Sequence, residues 1–149
     1  TVYGPWGRPD MALFKFTDLI IKNKPISVFN YGKMKRDFTY IDDVIESIFL
    51  LMKKPPGISS NINSTNTKAP YFIFNIGNSQ PIDLMQYINA IESILGKKAK
   101  IKFKEMQPGD VESTFANTEA LNNWINFKPS TPINLGVKKF IDWYLEYYK

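Results

Sequence analysis

Tyr71-Phe72-Ile73-Phe74-Asn75-Ile76 is a nearly continuous apolar run, closed by Gly77-Asn78. A run of this length, ended by turn formers, predicts a strand covered on both faces, and such a strand wants parallel neighbours. Helical patterns flank it. Downstream, Leu84, Ile88, Ile91 and Leu95 lie on one stripe, which predicts a helix over 83–95 stopped by Gly96. Upstream, residues 58–70 are polar and rich in Ser, Asn and Thr, the composition of a loop or disordered tract. Before them, Asp43 and Glu46 form a D-x-x-E capping pattern ahead of Ile45, Ile48, Phe49 and Met52, with Val44 and Leu51 adding apolar surface on another side. This predicts a helix over 43–54 buried on more than one face, ended by Pro55-Pro56-Gly57. Asp42 and Asp43 look like paired acid/base carboxylates but read as helix caps.

Farther out, two Gly and two Pro make residues 1–9 a loop. A helix over 10–23 is expected, capped by Asp10, with Leu13, Phe16 and Ile20 on its buried face. Short extended segments follow at 26–29 and 37–41, separated by a turn on Tyr31-Gly32. In the lysine-rich stretch 97–104, Ala99, Ile101 and Phe103 share one face and lysines the other, the pattern of a half-buried strand rather than a base-stacking platform. A turn at Gln107-Pro108-Gly109-Asp110 precedes a short helix near Thr118. The last helix has Thr131 as cap, Pro132 at its first position, and Val137, Phe140, Ile141, Tyr144 and Tyr148 on its buried side. The order is mixed α/β with one fully buried strand, whose sheet partners are expected to be missing from this chain.

At 149 residues and 44% hydrophobic, the chain is one domain or a compact piece of a larger one. No apolar run could span a bilayer. Without cysteine or histidine there is no disulfide frame, no thiolate zinc site and no imidazole acid/base, so no metal site is expected. The net charge of +5 permits phosphate or nucleic-acid binding without demanding it. Only two of the nineteen basic residues are arginines, Arg8 and Arg36, each inside a Gly/Pro/aromatic block. A planar fork suits bidentate capture of a carboxylate or phosphate, so both are candidate anion clamps.

Four blocks carry a resemblance: TVYGPWGRPD at 1–10, RDFTYIDDV at 36–44, FNIGN at 74–78 and MQPGDV at 106–111. In this order and spacing they resemble the C-terminal part of NAD-dependent nucleotide-sugar epimerases and dehydratases, which are extended short-chain dehydrogenase/reductase proteins. The GPWGRPDMA wording is most similar to the UDP-glucuronate 4-epimerase branch. The glycine fingerprint that seats an NAD pyrophosphate does not occur. The family's catalytic Tyr-x-x-x-Lys pair would lie upstream of Thr1. Tyr31 and Lys35 have that spacing but straddle a glycine turn, and are rejected as catalytic.

The resemblance therefore implies an α/β fold that is the substrate-binding part of such a protein, with most of the Rossmann domain missing. Segments 1–5, 43–54 and 71–76 would complete that domain. It implies NAD as cofactor of the parent, bound weakly if at all by this chain, and no catalytic residue here. In the family NAD exchanges hydride with the sugar C4 while the tyrosine removes the hydroxyl proton. By the same resemblance Thr1 and Arg8 sit near the sugar, with Arg8 on the glucuronate carboxylate. Met11, Ser27 and Phe29 contact the uridine, Arg36 the diphosphate and Asp110 the ribose. Val2 and Tyr3 lie beside the nicotinamide. Gln107 stands where many relatives carry arginine, which weakens it as a ligand, and Asn117 replaces a common aspartate. By its residue type alone, Phe29 reads as core, and Trp6 as a pin for its loop. The implied setting is cytoplasmic polysaccharide biosynthesis, with a UDP-sugar as partner, no membrane or nucleic acid, a homodimeric parent and a self-associating fragment. A nucleotide-sugar dehydratase or decarboxylase, or a truncated non-catalytic binding module, are the alternatives.

Overall fold

The helices that the apolar spacing predicts all form, with their ends shifted by a residue or two. A computed structural model describes residues 1–57 and 71–148, so the polar tract at 58–70 lies outside the described residues. The order is β1 (Val2–Tyr3), α1 (Ala12–Ile21), β2 (Pro25–Val28), a 3₁₀ turn (Phe29–Gly32), β3 (Lys35–Arg36), β4 (Thr39–Tyr40), α2 (Ile41–Lys53), β5 (Ile82–Asp83), α3 (Leu84–Leu95), β6 (Lys100–Phe103), α4 (Glu119–Ile125) and α5 (Ile133–Tyr147). The strands pair two by two: β1 with β4 and β2 with β6, both parallel, and β3 with β5, antiparallel.

Apolar faces from α1, α3 and α5 meet these short pairs in one core. Leu13, Phe16 and Ile20 enter it from α1, Ile88 and Ile91 from α3, and Val137, Phe140 and Ile141 from α5. Ile26 and Val28 of β2 are fully buried, as period-two alternation requires. Tyr3, Phe38, Tyr40 and Tyr87 fill the space between β1, β4 and α3. Phe38 stacks on Tyr87 at 4.1 Å, and Tyr3 meets both of those rings edge-on at 6.1 Å. Gly96 ends α3 with φ 62°, the left-handed stop its sequence position predicts.

Several expectations are corrected. The stretch 71–76 forms no strand. Phe72 and Phe74 pack on Trp124, with ring centroids 5.1 and 5.9 Å away, while Ile73 between them is 79% exposed. The alternation is strand-like, but a strand is defined by its ladder, and no ladder partner exists among the described residues. The stripe of Ile45, Ile48, Phe49 and Met52 on α2 is likewise exposed rather than buried. α1 starts at Ala12 behind Met11, and Asp10 pairs with Arg8 instead of capping. Asp42 and Asp43 lie in the first turn of α2, not at its cap. The Asp43 carboxylate accepts from the backbone nitrogens of Ser130 and Thr131 and from the Thr131 hydroxyl, at 3.2, 2.9 and 2.9 Å. It thereby ties the start of α2 to the start of α5, and the cap position of α5 falls to Pro132, not Thr131. Phe103 and Tyr148 are half exposed.

One carboxylate of α3 is buried, with an exposed lysine for its partner. Glu92 accepts from Lys98 Nζ at 2.6 Å and from the Ala99 nitrogen at 2.8 Å, bridging the α3–β6 turn. Burial alone would raise its pKa, but these two bonds outweigh it, and the carboxyl sits below the usual value. A carboxyl lowered on folding stabilises the protein above its unfolded pKa of about 4.3, and that contribution fades as pH falls through the lower folded value. Glu92→Gln is expected to cost about 1 kcal/mol at pH 7, discounted for the exposed lysine, and much less at pH 3. Urea midpoints at the two pH values check this; an equal deficit at both would contradict it.

Candidate functional site

The loop that opens the chain forms a cavity because its backbone conformations are unusual. Thr1 accepts from the Thr39 nitrogen at 2.8 Å, which sets β1 beside β4. Gly4 has φ 145°, and a Cβ there would collide with the Ile41 side chain. The Gly7 nitrogen donates back to the Gly4 carbonyl at 3.2 Å, and the Met11 nitrogen to the Arg8 carbonyl at 3.1 Å. Between these turns Trp6 takes φ 62°, a left-handed conformation that costs a non-glycine residue about 1–2 kcal/mol. The result is a cavity of about 230 Å³ bordered by Thr1, Val2, Tyr3, Trp6, Arg8 and Met11, with Phe14, Phe38, Tyr87 and Phe140 among its apolar lining.

Among the described residues that line this cavity, Arg8 carries the one charged side chain. Its side chain is 75% exposed, with Nε 3.4 Å from Asp10 Oδ1 and Nη2 3.4 Å from Met11 Sδ. An exposed pair of this kind is worth little, so the guanidinium can exchange Asp10 for another anion. Tyr3 is buried and its hydroxyl has no partner among the described residues. A tyrosine that removes a proton near neutral pH needs a lowered pKa. Burial does the reverse here: it raises Tyr3 and Tyr87, and it pushes Tyr40 up to about 12, helped by Asp42 and Asp43.

A second cluster is ionic. Arg36 on β3 donates through Nη1 to the carbonyls of Lys35 and Glu112, at 2.8 and 3.3 Å, and its Nη2 meets Asp110 Oδ1 at 2.8 Å. With its side chain only 16% exposed, this guanidinium is committed, in contrast to Arg8. Asp110 belongs to the predicted turn, its nitrogen donating to the Gln107 carbonyl at 3.2 Å. Next to Arg36 stands Asp37, a residue that sequence reasoning passed over. Its carboxylate accepts from the backbone nitrogens of Ser79, Gln80 and Ala116, at 3.0, 3.3 and 3.3 Å, and its own nitrogen donates to Thr114 Oγ1 at 3.1 Å. Its signal in the sequence was only a charge between Arg36 and two aromatic residues.

Ser27 and Phe29 form a third group at the end of β2. Ser27 pairs in register with Lys102, and Lys104 Nζ stands 5.7 Å from the centre of the Phe29 ring. Phe29 is half-buried and opens the 3₁₀ turn, so it is not a core residue. The candidate residues thus fall into three groups: Thr1, Val2, Tyr3, Arg8 and Met11 around the cavity, Arg36 with Asp110 and the Gln107 of its turn, and Ser27 with Phe29.

No group of three or more acidic side chains among the described residues could hold a metal ion, and no described helix is long and apolar enough to cross a membrane. A dinucleotide of the kind the resemblance implies needs a glycine-rich turn between a strand and a helix for its pyrophosphate. α2 does follow a parallel-paired strand, but the junction is Tyr40-Ile41, with no glycine. The described residues do not fit the pyrophosphate of NAD.

Residues 1–77 match the model of the NAD dependent epimerase/dehydratase family. Over its full length the chain is 52% identical to Protein CapI of Staphylococcus aureus and 44% identical to a probable UDP-glucuronate 4-epimerase of Rhizobium meliloti (strain 1021). It spans 46% of the length of each of these curated relatives. Its fold is similar to that of the UDP-glucuronic acid 4-epimerase of Bacillus cereus solved with UDP-glucuronic acid and NAD. The TM-score is 0.82 at 28% identity, covering 98% of this chain and 43% of that one.

Proposed function

The chain belongs to the NAD dependent epimerase/dehydratase family, and from that premise we propose that it is the UDP-sugar-binding portion of an NAD-dependent 4-epimerase acting on UDP-glucuronate. The observation that carries this reading is the pairing of an apolar cavity with one exchangeable cation, Arg8. A neutral hexose gives a guanidinium there nothing to pair with, whereas a uronate carboxylate matches its fork. Thr1 borders the same cavity and would contact the sugar beside Arg8, while Met11, at the cavity border too, would meet the uridine.

Arg36 would hold the diphosphate through the Nε and Nη2 hydrogens that its bonds to two carbonyls and Asp110 leave over, and Asp110 would hold the ribose; their ion pair at 2.8 Å supports a shared, preformed ionic subsite. Gln107 at the same turn would contribute through its amide. Ser27 and Phe29 would receive the uracil, a role for which the half-buried, cation-flanked ring of Phe29 is suited. Val2, 47% exposed on β1, would meet the nicotinamide with Tyr3 behind it. The exposed apolar residues of β1, α2 and the 71–76 segment would cover a cofactor domain. The proposed substrate class makes supply of polysaccharide precursors in the cytoplasm the expected setting. No hydride step is assigned to residues of this chain, whose work is to bind and orient the sugar.

Calorimetry of the chain with UDP, UDP-glucose and UDP-glucuronate tests the reading. The glucuronate is expected to bind tightest, and Arg8→Ala to erase that preference by about 10–100-fold, the worth of a hydrogen-bonded charge pair. Equal affinity for the two UDP-sugars in the unaltered chain would overturn the assignment.

A further inference from the structure

We propose that Trp6 is the positioning residue for substrate charge selection: its indole, fastened to the last turns of α5, fixes where the Arg8 guanidinium stands. The inference rests on the reading of Arg8 as a carboxylate clamp. The hydrogen bonds that shape the loop are local, from Gly7 to Gly4, from Met11 to Arg8 and from Arg8 to Met11 Sδ. They set the loop's curvature but do not join it to a helix outside its own segment. Trp6 makes that connection. Its ring lies 5.2 Å from Trp143 and 4.9 Å from Tyr147, the latter edge-on at 71°. Trp143 and Tyr147 are themselves stacked at 5.7 Å, so the indole meets a pair of rings rather than one.

Two features say that this contact orients the loop more than it buries surface. Trp6 is 71% exposed, so little apolar area is removed from water. It also holds φ 62°, a conformation that disfavours any side chain and persists only where surrounding contacts over-determine it. Only Gly7 separates this fixed point from Arg8, and both Trp6 and Arg8 border the cavity. Gly7 is not a free joint: its nitrogen is held by the Gly4 carbonyl and it takes no glycine-only backbone conformation, so the backbone that carries Arg8 is placed by the turn that Trp6 anchors.

The test combines calorimetry on Trp6→Ala and Trp6→Phe, using UDP, UDP-glucuronate and UDP-glucose, with NMR of the Arg8 Nε–Hε group in the free chain. Trp6→Ala is expected to weaken UDP-glucuronate binding about tenfold while UDP and UDP-glucose stay within about twofold, the effect of displacing a group by roughly an ångström. The Arg8 Nε–Hε signal is expected to shift toward that of a freely rotating arginine. Trp6→Phe, which keeps an aromatic ring against Trp143 and Tyr147, is expected to recover part of the preference. An equal loss for both sugars would mean that Trp6 touches the sugar itself, and would overturn the positioning role. An unchanged Arg8 signal in Trp6→Ala would overturn it too, whatever the affinities. If the unaltered chain shows no preference for the glucuronate, the reading of Arg8 falls and takes charge selection with it, while the Arg8 signal still decides whether Trp6 holds the loop.

Discussion

Asp37→Ala is expected to lower the unfolding free energy by about 3–4 kcal/mol, taking roughly 1 kcal/mol or more for each backbone donor left without its partner. The carboxylate is buried and accepts from Ser79, Gln80 and Ala116, residues on two segments far from it in the chain. Alanine removes all three bonds at once, and none of these nitrogens can turn to water without moving its segment. Asp37→Asn keeps one acceptor and places donors against donors, so it is expected to fall between alanine and the parent. Urea melts measure both. A loss under about 1 kcal/mol for alanine would mean that the segments hold one another without the carboxylate. The same variants should disturb the ionic cluster, since the stretch that carries Asp110 and Glu112 toward Arg36 continues into Thr114 and Ala116.

Gly136→Val is the second large effect expected. α5 passes so close to Tyr3 that a Cβ at position 136 would stand 2.7 Å from Cζ and 2.8 Å from Cε2 of that ring. Phe38, Tyr40 and Tyr87 meet the ring edge-on at 6.1, 5.6 and 6.1 Å, which leaves it little room to move except toward the cavity it lines. Overpacking of this kind costs about 3 kcal/mol, or about 10 °C in Tm for a chain of this size. Gly136→Ala should cost less, because alanine gains about 1 kcal/mol of helix propensity that offsets part of the clash. Shrinking the partner should show the coupling: in thermal melts Tyr3→Leu with Gly136→Val is expected to lose less than the two single changes added together. Simple additivity would place the strain somewhere other than Tyr3. Because Tyr3 lines the cavity, a displaced ring should also alter the shape of the site that Arg8 serves.

The two arginines show where the sequence stops being informative. Both sit in Gly/Pro/aromatic blocks and both have the chemistry of an anion clamp. Folding gives them opposite circumstances. Arg36 is held by two carbonyls and Asp110, while Arg8 keeps only an exposed aspartate and a thioether nearby. Nothing local distinguishes them, since Glu112 and Asp110, two of the three partners of Arg36, lie more than seventy residues away along the chain. Asp37 escaped notice for the same reason. Its importance comes from donors at Ser79, Gln80 and Ala116, which no short-range pattern connects to it.

What the sequence determined by itself was local or additive. Helical stripes such as Leu13, Phe16 and Ile20, or Ile88 and Ile91, are buried as their spacing demands, and Gly96 stops α3 because only glycine enters that conformation cheaply. The mixed α/β class and the family likeness were legible too, because they rest on residue types at fixed offsets. Other features depend on groups that folding brings from elsewhere in the chain. The 71–76 run has the apolar content of a strand, yet a strand requires a ladder, and its packing partner turned out to be Trp124 on α4. Asp43 has the chemistry of a cap, yet it caps the approach to α5 rather than its own helix. Hydrogen-bond partners and ring contacts are properties of positions in space, and sequence spacing specifies those only within a turn or two of the same element.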